Sequence, residues 1–363
     1  MSASTLRGAL HQAEVIICCG SGGVGKTTTA ATIGLELARQ GRRVVVVTID
    51  PAKRLADALG LSGGLTNEPA LLGTGALTGA SGGELWATML DTAATFDGIV
   101  RANAADPEQA ERILGNRFYH NIAGALSGTQ EYMAAERLHT LHGDPRFDVV
   151  VVDTPPSRHA LDFLDAPGTL ARFLGHPLFG LLMMPTRTGL KVLNLAAQPV
   201  LRSIGKVVGG EVLADAIAFF QAFEGMETGF RQRADEVMAL MRSAQTRYVL
   251  VASPQRDTVD EASFFAQRLR EVSTGAAALV VNRCTPTFPT PSTKRRAADA
   301  ALWANYDELV ALGAVERAQL AGLRAEVADA PTVWVPLLAD DVHDLDGLDA
   351  IRRLLFDSAT SAG

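Results

Sequence analysis

The sequence has few cysteines, no long apolar run and no excess of positive charge. Three cysteines among 363 residues are too few for a disulfide framework and fit a reduced, cytoplasmic setting. No unbroken apolar run approaches the length of about 18 residues that a membrane-spanning helix needs, and the N-terminus lacks the pattern of a signal peptide. We therefore expect a cytoplasmic protein, with a peripheral position at a membrane as the alternative.

The charge balance limits the classes of partner that the protein is expected to bind. A net charge of −7 argues against broad nucleic-acid binding, and the run Lys294-Arg295-Arg296 is typical of a solvated surface. A hydrophobic content of 47% is enough for a sizeable core, and the length allows one large α/β domain or two smaller ones. The composition indicates neither disorder nor a fibrous repeat.

A glycine-rich stretch near the N-terminus has the pattern of a phosphate-binding loop. The stretch consists of Gly20, Ser21, Gly22, Gly23, Val24, Gly25, Lys26, Thr27 and Thr28. The apolar run Val15 to Cys19 predicts a strand before the loop, and Thr28 to Arg39 predicts a helix after it. Glycines let several backbone N–H groups point at one anion, and the positive end of the helix dipole adds to the attraction. The alternative is an ordinary glycine turn between a strand and a helix.

Three residues of this stretch have side chains suited to a nucleotide. We expect Lys26 to contact the β- and γ-phosphates of ATP and Thr27 to bind Mg²⁺ through its hydroxyl. Thr28 is expected to lie near the α-phosphate. The remaining residues of the loop are expected to bind phosphate through their backbone.

Two aspartates follow predicted buried strands. Val44 to Ile49 leads into Asp50, and the four valines from Val149 lead into Asp153. Since the carboxyl ends of parallel strands share one edge of a sheet, both carboxylates should face the phosphate loop. Asp50 could hold the attacking water or influence Mg²⁺, and Asp153 is expected to act on Mg²⁺ in the manner of a Walker B residue. Each could instead cap the turn that follows its strand.

Three motifs together resemble the arsenite-pump ATPase family, which includes the cytosolic ATPases that guide tail-anchored membrane proteins. The motifs are Gly22-Gly-Val-Gly-Lys-Thr-Thr, Asp50-Pro-Ala…Leu55-Ala-Asp57 and Asp153-Thr-Pro-Pro-Ser…His159. The similarity covers nearly the whole chain. It implies an α/β fold with the parallel sheet of P-loop NTPases of the deviant Walker A class, a dimer, and a hydrolytic water positioned by Asp50. In the family, switch I includes Asp50 and switch II starts at Asp153.

A long helical insert separates switch II from the later strands, unlike in the related division-site ATPases. We expect a single domain over residues 1–363, with a helical insertion subdomain over residues 161–243. The insert carries Phe179, Met183 and Met184 in one apolar segment, and a long helix from Val212 with an apolar face. That face contains Phe219, Phe223, Met226, Phe230, Val237 and Met241. Such a surface could bind apolar helices of a client protein, or these side chains could pack the core of the subdomain.

The resemblance also implies contacts with the nucleotide base. In the family, the asparagine at the position of Asn282 contacts adenine. The segment Val333 to Leu337 resembles the loop that covers the base, which adds Pro336 and Leu337 to the expected binding residues. No Asn-Lys-x-Asp guanine motif occurs in the chain. ATP is therefore favoured over GTP.

The chain departs from the family pattern at several positions. Ser21 stands where relatives carry a second, signature lysine that reaches the phosphates of the partner subunit. Arg158 replaces a glycine of switch II, and Lys53 replaces a histidine found in many members, so either cation could substitute for the lost charge. The Cys-x-x-Cys zinc clasp of the eukaryotic targeting members is absent.

These observations predict an ATP hydrolase that uses Mg²⁺ and works as a homodimer, or as a heterodimer with a paralogue that retains the lysine. Its cycle would change the exposure of the insert to a hydrophobic client protein or a membrane partner. Two alternatives remain: a nucleotide-gated binding subunit with little turnover, and a soluble energising subunit of an anion exporter. The insert contains no cysteine for metalloid binding, which counts against an arsenite pump.

Overall fold

A computed structural model gives the conformation of most of the chain. It describes residues 5–50, 54–61, 64–73, 82–117, 119, 129–155, 211, 215, 218–219, 221–222, 225–289 and 295–357. Several positions singled out in the sequence lie outside these described residues: Lys53, Arg158, Phe179, Met183, Met184 and Phe223.

An eight-stranded sheet is the main framework of the fold. Its strands are β1 (Val15–Cys19), β2 (Arg43–Thr48), β3 (Ala70–Gly73), β4 (Glu84–Met89), β5 (Val149–Asp153), β6 (Thr246–Ala252), β7 (Ala276–Cys284) and β8 (Thr332–Pro336). They lie in the order β3-β4-β2-β5-β1-β6-β7-β8, and neighbouring strands are parallel except for the antiparallel pair β3 and β4. The predicted α/β fold class with a largely parallel sheet is confirmed.

Helices alternate with these strands along the chain. Among the described residues they are α1 (Leu6–Leu10), α2 (Lys26–Arg39), α3 (Arg54–Ala58), α4 (Thr92–Asn103), α5 (Pro107–Leu114), α6 (Thr129–His142), α7 (Glu227–Arg242), α8 (Arg256–Glu271), α9 (Ala300–Gln319), α10 (Ala321–Glu326) and α11 (Leu345–Arg352). A 3₁₀ turn at Ala297–Asp299 precedes α9, and a π-helical turn at Arg353–Asp357 follows α11.

The central strands are buried along their whole length. Every residue of β1 and β5 is buried, as expected for parallel strands covered on both faces, which need continuous apolar runs. In the register of the sheet, Asp153 at the end of β5 pairs with Thr48 of β2 and with Cys18 of β1. The carboxyl ends of these three strands therefore lie level, and the loops that follow them start from one edge of the sheet.

An ion-pair network around the buried Glu36 holds α2, the helix that follows the phosphate loop. Glu36 of α2 is 3% exposed, and its two carboxylate oxygens bind the guanidinium groups of Arg7 at 2.8 Å and Arg352 at 3.1 Å. Arg352 also pairs with Asp349 at 2.7 Å. The network joins α1, α2 and α11, and it compensates the charge of a carboxylate that would otherwise be costly to bury.

The chain divides into two compact units. The first comprises Met1–Leu90, Thr140–Leu161 and Arg242–Gly363, and it contains the whole sheet. The second comprises Asp91–His139 and Asp162–Met241, and its described part is helical. It therefore combines residues from the predicted insertion with a segment that precedes switch II. The prediction of a single domain with an insertion over residues 161–243 stays a prediction.

The apolar face predicted for the helix from Val212 is buried in this conformation. Its described members are all 5% exposed or less: Phe219, Met226, Phe230, Val237 and Met241. The charged residues Arg231 and Asp235 of α7 are exposed, as the pattern predicted. Of the two interpretations given above, these side chains match core packing.

Several local predictions differ from the structure. The stretch from Leu61 to Gly83 is rich in glycine, threonine, serine and alanine, and this composition predicts an irregular connection. It nevertheless contains β3, whose edge position requires no strong apolar alternation. The sequence pattern after β6 predicts a helix that starts at Glu261, and this start is wrong, since α8 begins at Arg256. The segment Val333 to Leu337 was predicted as a loop by resemblance, but Val333 to Pro336 belong to β8. This strand pairs with β7, and two of its valines are buried in the core.

Candidate functional site

Two features place the phosphate loop at the carboxyl edge of the sheet. The loop follows β1, which lies between β5 and β6, and it leads directly into α2. Gly22 and Gly23 are exposed at its tip, whereas Ser21 and Val24 are buried. α2 begins at Lys26 rather than at the predicted Thr28, so the first turn contains Lys26, Thr27 and Thr28. The first N–H groups of a helix lack intrahelical partners and favour an anion at this end.

Two glycines of the loop are required by close packing. A Cβ atom on Gly20 would come within 2.1 Å of the carbonyl oxygen of Val251 in β6. Gly25 has a φ of +94°, and a Cβ atom there would come within 2.3 Å of the side-chain nitrogen of Asn282 in β7. Any other residue at either position would force a clash or a strained backbone. The loop thus packs against β6 and β7, the two strands that follow β1 on one side of the sheet.

Lys26 is held inside the loop. Its side chain is buried, and Nζ donates a hydrogen bond to the backbone carbonyl of Ser21 at 2.8 Å. Burial lowers the pKa of Lys26, and the nearby Asp153 carboxylate partly opposes this effect. An ammonium group has three donors, so this one bond leaves two donors for a ligand. Ser21 itself is 6% exposed.

Asp153 lies beneath the loop and meets two threonine hydroxyls. Its Oδ2 accepts hydrogen bonds from Thr27 at 2.8 Å and from Thr48 at 3.0 Å. Its Oδ1 is buried and has no hydrogen-bond partner among the described residues. Burial raises the pKa of Asp153 to about 6, although the two hydroxyls and Lys26 favour the charged form. A buried carboxylate with an unsatisfied oxygen beside a hydroxyl is a donor set that suits Mg²⁺, so these residues fit the metal that the sequence predicts.

Thr48 belongs to the candidate site by its contact with Asp153, and the sequence pattern did not select it. It ends β2, directly after four valines, and its hydroxyl is buried against Asp153. The available signal was a polar residue that follows four valines and stands just before Asp50. Its hydrogen bond ties the carboxyl end of β2 to that of β5.

Asp50 lies after β2 at the same edge. Its side chain is 14% exposed, and its Oδ2 is 3.8 Å from the guanidinium of Arg54 in the first turn of α3. The backbone N–H of Asp50 donates to the Thr48 hydroxyl at 3.3 Å. Arg54 is therefore a described cation near the predicted switch I carboxylate.

The residues expected to contact the base lie on β7 and β8. Asn282 lies within β7, and its Nδ2 donates to the carbonyl of Val24 in the phosphate loop at 2.9 Å. Pro336 ends β8 and pairs with Cys284, and Leu337 follows with 60% of its surface exposed. The structure thus brings Asn282 to the loop, and it places Pro336 and Leu337 two strands away from β6, at the sheet edge formed by β8.

Most of the sequence is similar to one known protein family. The model of the anion-transporting ATPase family matches residues 13–357. The chain belongs to this family. Its membership confirms the resemblance stated above, and the predicted enzyme class, an ATP hydrolase, agrees with the name of the family and of its members.

Similar proteins include two kinds of ATPase. An arsenical pump-driving ATPase of Acidiphilium multivorum is 27% identical over 342 residues, covering 93% of this chain and 48% of that protein. An ATPase GET3 of Malassezia globosa is 26% identical over 356 residues, covering 97% of this chain and 94% of that protein. An arsenical pump-driving ATPase of Escherichia coli is 27% identical over 350 residues, covering 94% of this chain and 48% of that protein. The chain thus spans about half the length of the pump-driving relatives.

Within the part of the chain that the structure describes, no helix combines enough length with enough apolar character to cross a bilayer.

Proposed function

We propose that this member of the anion-transporting ATPase family binds Mg-ATP at the phosphate loop and hydrolyses it with water in a dimer-coupled cycle. The observation that carries the proposal is the arrangement of Lys26, Thr27 and Asp153 at one edge of the sheet, with one buried oxygen of Asp153 unsatisfied. Such an arrangement is costly for a protein without a cation to complete it.

Each residue of the site has a role in this proposal. Lys26 and the loop N–H groups stabilise the negative charge of the phosphates, which grows as the γ-phosphoryl group is transferred. Thr27 and Asp153 would hold Mg²⁺, which when bound neutralises charge on the β- and γ-phosphate oxygens. Thr48 orients the Asp153 carboxylate. Asp50 orients the attacking water, and the guanidinium of Arg54 lies 3.8 Å from its carboxylate.

Ser21 decides which partner the chain needs. Family relatives have a cation at this position, and a serine hydroxyl cannot oppose phosphate charge as an ammonium does. Ser21 is also buried in this chain, so it does not present a group to another subunit. We therefore favour a heterodimer with a paralogue that retains the lysine over a homodimer. Lys53 or Arg158, which lie outside the described residues, and the described Arg54 are the local cations that could replace it.

The insertion is the part of the chain proposed to handle a client. We propose that the ATP cycle changes the exposure of its apolar side chains to a hydrophobic protein segment or a membrane partner. The relatives bear the names of a pump-driving ATPase and of ATPase GET3. Residues 161–243 contain no cysteine, which favours client handling over metalloid transport. The predicted cytoplasmic setting fits this role.

Turnover of the purified chain tests this proposal. Without a partner, we expect slow hydrolysis of Mg-ATP, because a cation that contacts the γ-phosphate can contribute about 10³-fold or more in rate. The variant Ser21→Lys should hydrolyse ATP faster. Asp50→Asn in the same background should bind ATP with unchanged affinity and lose the gain, since an amide is a poor substitute for a carboxylate that orients water. Robust turnover of the unmodified chain alone, unaffected by Ser21→Lys, would contradict the need for a lysine-bearing partner.

A further inference from the structure

We propose that Asn282 is a positioning residue for the phosphate loop and that it supports the binding of any polyphosphate, whatever the base. The inference rests on the nucleotide site proposed above and assigns to Asn282 a role different from the contact with adenine that the family resemblance implies. It is drawn from the contacts between β7 and the loop.

Both ends of the Asn282 amide are engaged. Nδ2 donates to the carbonyl of Val24 at 2.9 Å, and Oδ1 accepts from the backbone N–H of Arg283 at 2.9 Å. The two bonds agree on the orientation of the amide, since one partner can only accept and the other can only donate. Asn282 is therefore fixed by its own strand and directed at the loop.

The loop residue that faces Asn282 is adapted to it. Gly25 directly precedes Lys26, and its φ of +94° suits glycine. A Cβ atom on Gly25 would lie 2.3 Å from Asn282 Nδ2, so the amide fills the space that a side chain would occupy. The peptide between Val24 and Gly25 is thus held by a hydrogen bond on its carbonyl and by direct packing on its glycine.

Arg283 shows that this arrangement is maintained against local strain. It has a φ of +60°, a left-handed conformation that is unfavourable for a residue with a side chain. In this conformation its N–H reaches the Asn282 oxygen. Strained residues persist where the surrounding structure determines them, and they often occur at functional sites.

The other end of the loop is held in a comparable way. Gly20 packs against the Val251 carbonyl of β6, where a Cβ atom would come within 2.1 Å. The loop is therefore fixed at its start by β6 and at its end by β7. Groups held in place before a ligand arrives need no reorganisation on binding, which strengthens their interaction with phosphate.

The two possible roles of Asn282 predict different losses of affinity when its side chain is removed. If Asn282 contacts the base, its removal weakens the binding of adenine nucleotides alone. If it positions the loop, its removal weakens the binding of every ligand that carries the polyphosphate. The same factor should then apply to Mg-ATP, Mg-GTP and Mg-tripolyphosphate, which has no base.

The experiment measures the dissociation constants of these three ligands for the full chain and for Asn282→Ala by calorimetry or by displacement of a fluorescent ATP analogue. We expect the affinities for all three ligands to fall by a common factor of about ten, which is the effect of one lost hydrogen bond to the main chain. Asn282→Ser is a second variant with less disturbance of the strand, and its shorter hydroxyl side chain should give a common loss as well. Val281→Ala is the matched control. It removes buried volume from the same strand, on the opposite face, and should lower thermal stability without changing the three affinities.

The outcomes separate the two roles. A loss for Mg-ATP with unchanged Mg-GTP would overturn the inference in favour of base recognition. Unchanged affinities for both nucleotides would overturn it as well, as would an equal loss in Val281→Ala. If the unmodified chain bound none of the ligands, the proposed nucleotide site would fail, and the inference with it; this result is visible before any variant is made.

Discussion

At the residue scale, Asp153 combines its proposed role in the nucleotide site with a cost in stability. Its carboxylate is buried and has one unsatisfied oxygen, and its pKa is raised by burial from 3.8 to about 6. Between these pH values the folded chain binds more protons than the unfolded chain. The stability of the metal-free protein therefore falls as pH rises through this interval, and it stays at the lower value above it.

Replacing Asp153 with asparagine should remove this cost. The amide oxygen can still accept from Thr27 and Thr48, but it carries no charge. In EDTA without nucleotide, we expect Asp153→Asn to unfold at a higher temperature than the unmodified chain at pH 7.5, by an amount equivalent to about 3 kcal/mol. The gain should disappear below about pH 4.

Asp148 provides a control of opposite sign. Its hydrogen bonds to Arg43 lower its pKa, so its contribution to stability is present at neutral pH and is lost as pH falls below the usual range of the group. Asp148→Asn should therefore reduce stability at pH 7.5 and have little effect at low pH. Thermal unfolding followed by circular dichroism across this pH range measures both variants. Equal stability of Asp153→Asn and the unmodified chain at every pH would contradict the account of Asp153.

The sequence was informative for individual residues that belong to a motif, and less so for those that do not. The spacing of Lys26 and Thr27 and the valine run before Asp153 were sufficient to select these residues. Thr48 was missed because a threonine at a strand end carries no distinctive pattern, and its role depends on a register that only the folded sheet defines. Asn282 was selected by resemblance, but its contact with Val24 depends on the strand order β1-β6-β7.

At the scale of secondary-structure elements, α6 and α7 are joined by an ion pair within the second unit. Glu136 of α6 is 0% exposed, and it binds the guanidinium of Arg233 and the hydroxyl of Tyr132. One turn further along, His139 lies 3.7 Å from Glu236. Since both pairs join residues 97 positions apart, the two helices run parallel where they meet.

Arg233→Ala should destabilise these helices, because it leaves the Glu136 charge buried without its cation. We expect a loss of about 3 kcal/mol, and faster hydrogen exchange at the backbone amides of α6 and α7. Arg231→Ala is the control, since Arg231 is exposed on the same helix, and it should change stability by less than about 0.5 kcal/mol. Similar exchange rates in both variants would show that the pair contributes nothing to the packing of α6 and α7.

Element types were predicted more reliably than element boundaries. The apolar runs of β1, β2 and β5 were identified within one residue of their observed limits, because parallel strands buried on both faces leave an uninterrupted signal. The edge strands β3 and β8 were predicted as irregular segments, since strands at an edge are short and only partly buried. The start of α2 at Lys26 depends on the left-handed Gly25, which the helix propensities of the residues do not reveal.

At the scale of the whole molecule, the central claim is that this family member has a nucleotide site that uses Lys26 and depends on Mg²⁺. The fold class and the family could be predicted from the sequence, because the motifs lie at the ends of strands that form one sheet edge. The partition into two units could not, since it groups residues 91–139 with a segment that follows them only after β5. Such grouping depends on contacts between distant parts of the chain.

The most direct test is the titration of the purified chain with a fluorescent ATP analogue, with Mg²⁺ and with EDTA, beside Lys26→Ala. Arg268→Ala is the control. It removes a half-buried cation near the end of α8, just before the amino end of β7, and should bind like the unmodified chain. We predict that the unmodified chain binds the analogue more tightly with Mg²⁺ and that Lys26→Ala loses most of this binding, because its ammonium opposes phosphate charge in a partly dehydrated site. Equal affinity of Lys26→Ala and the unmodified chain would contradict the account.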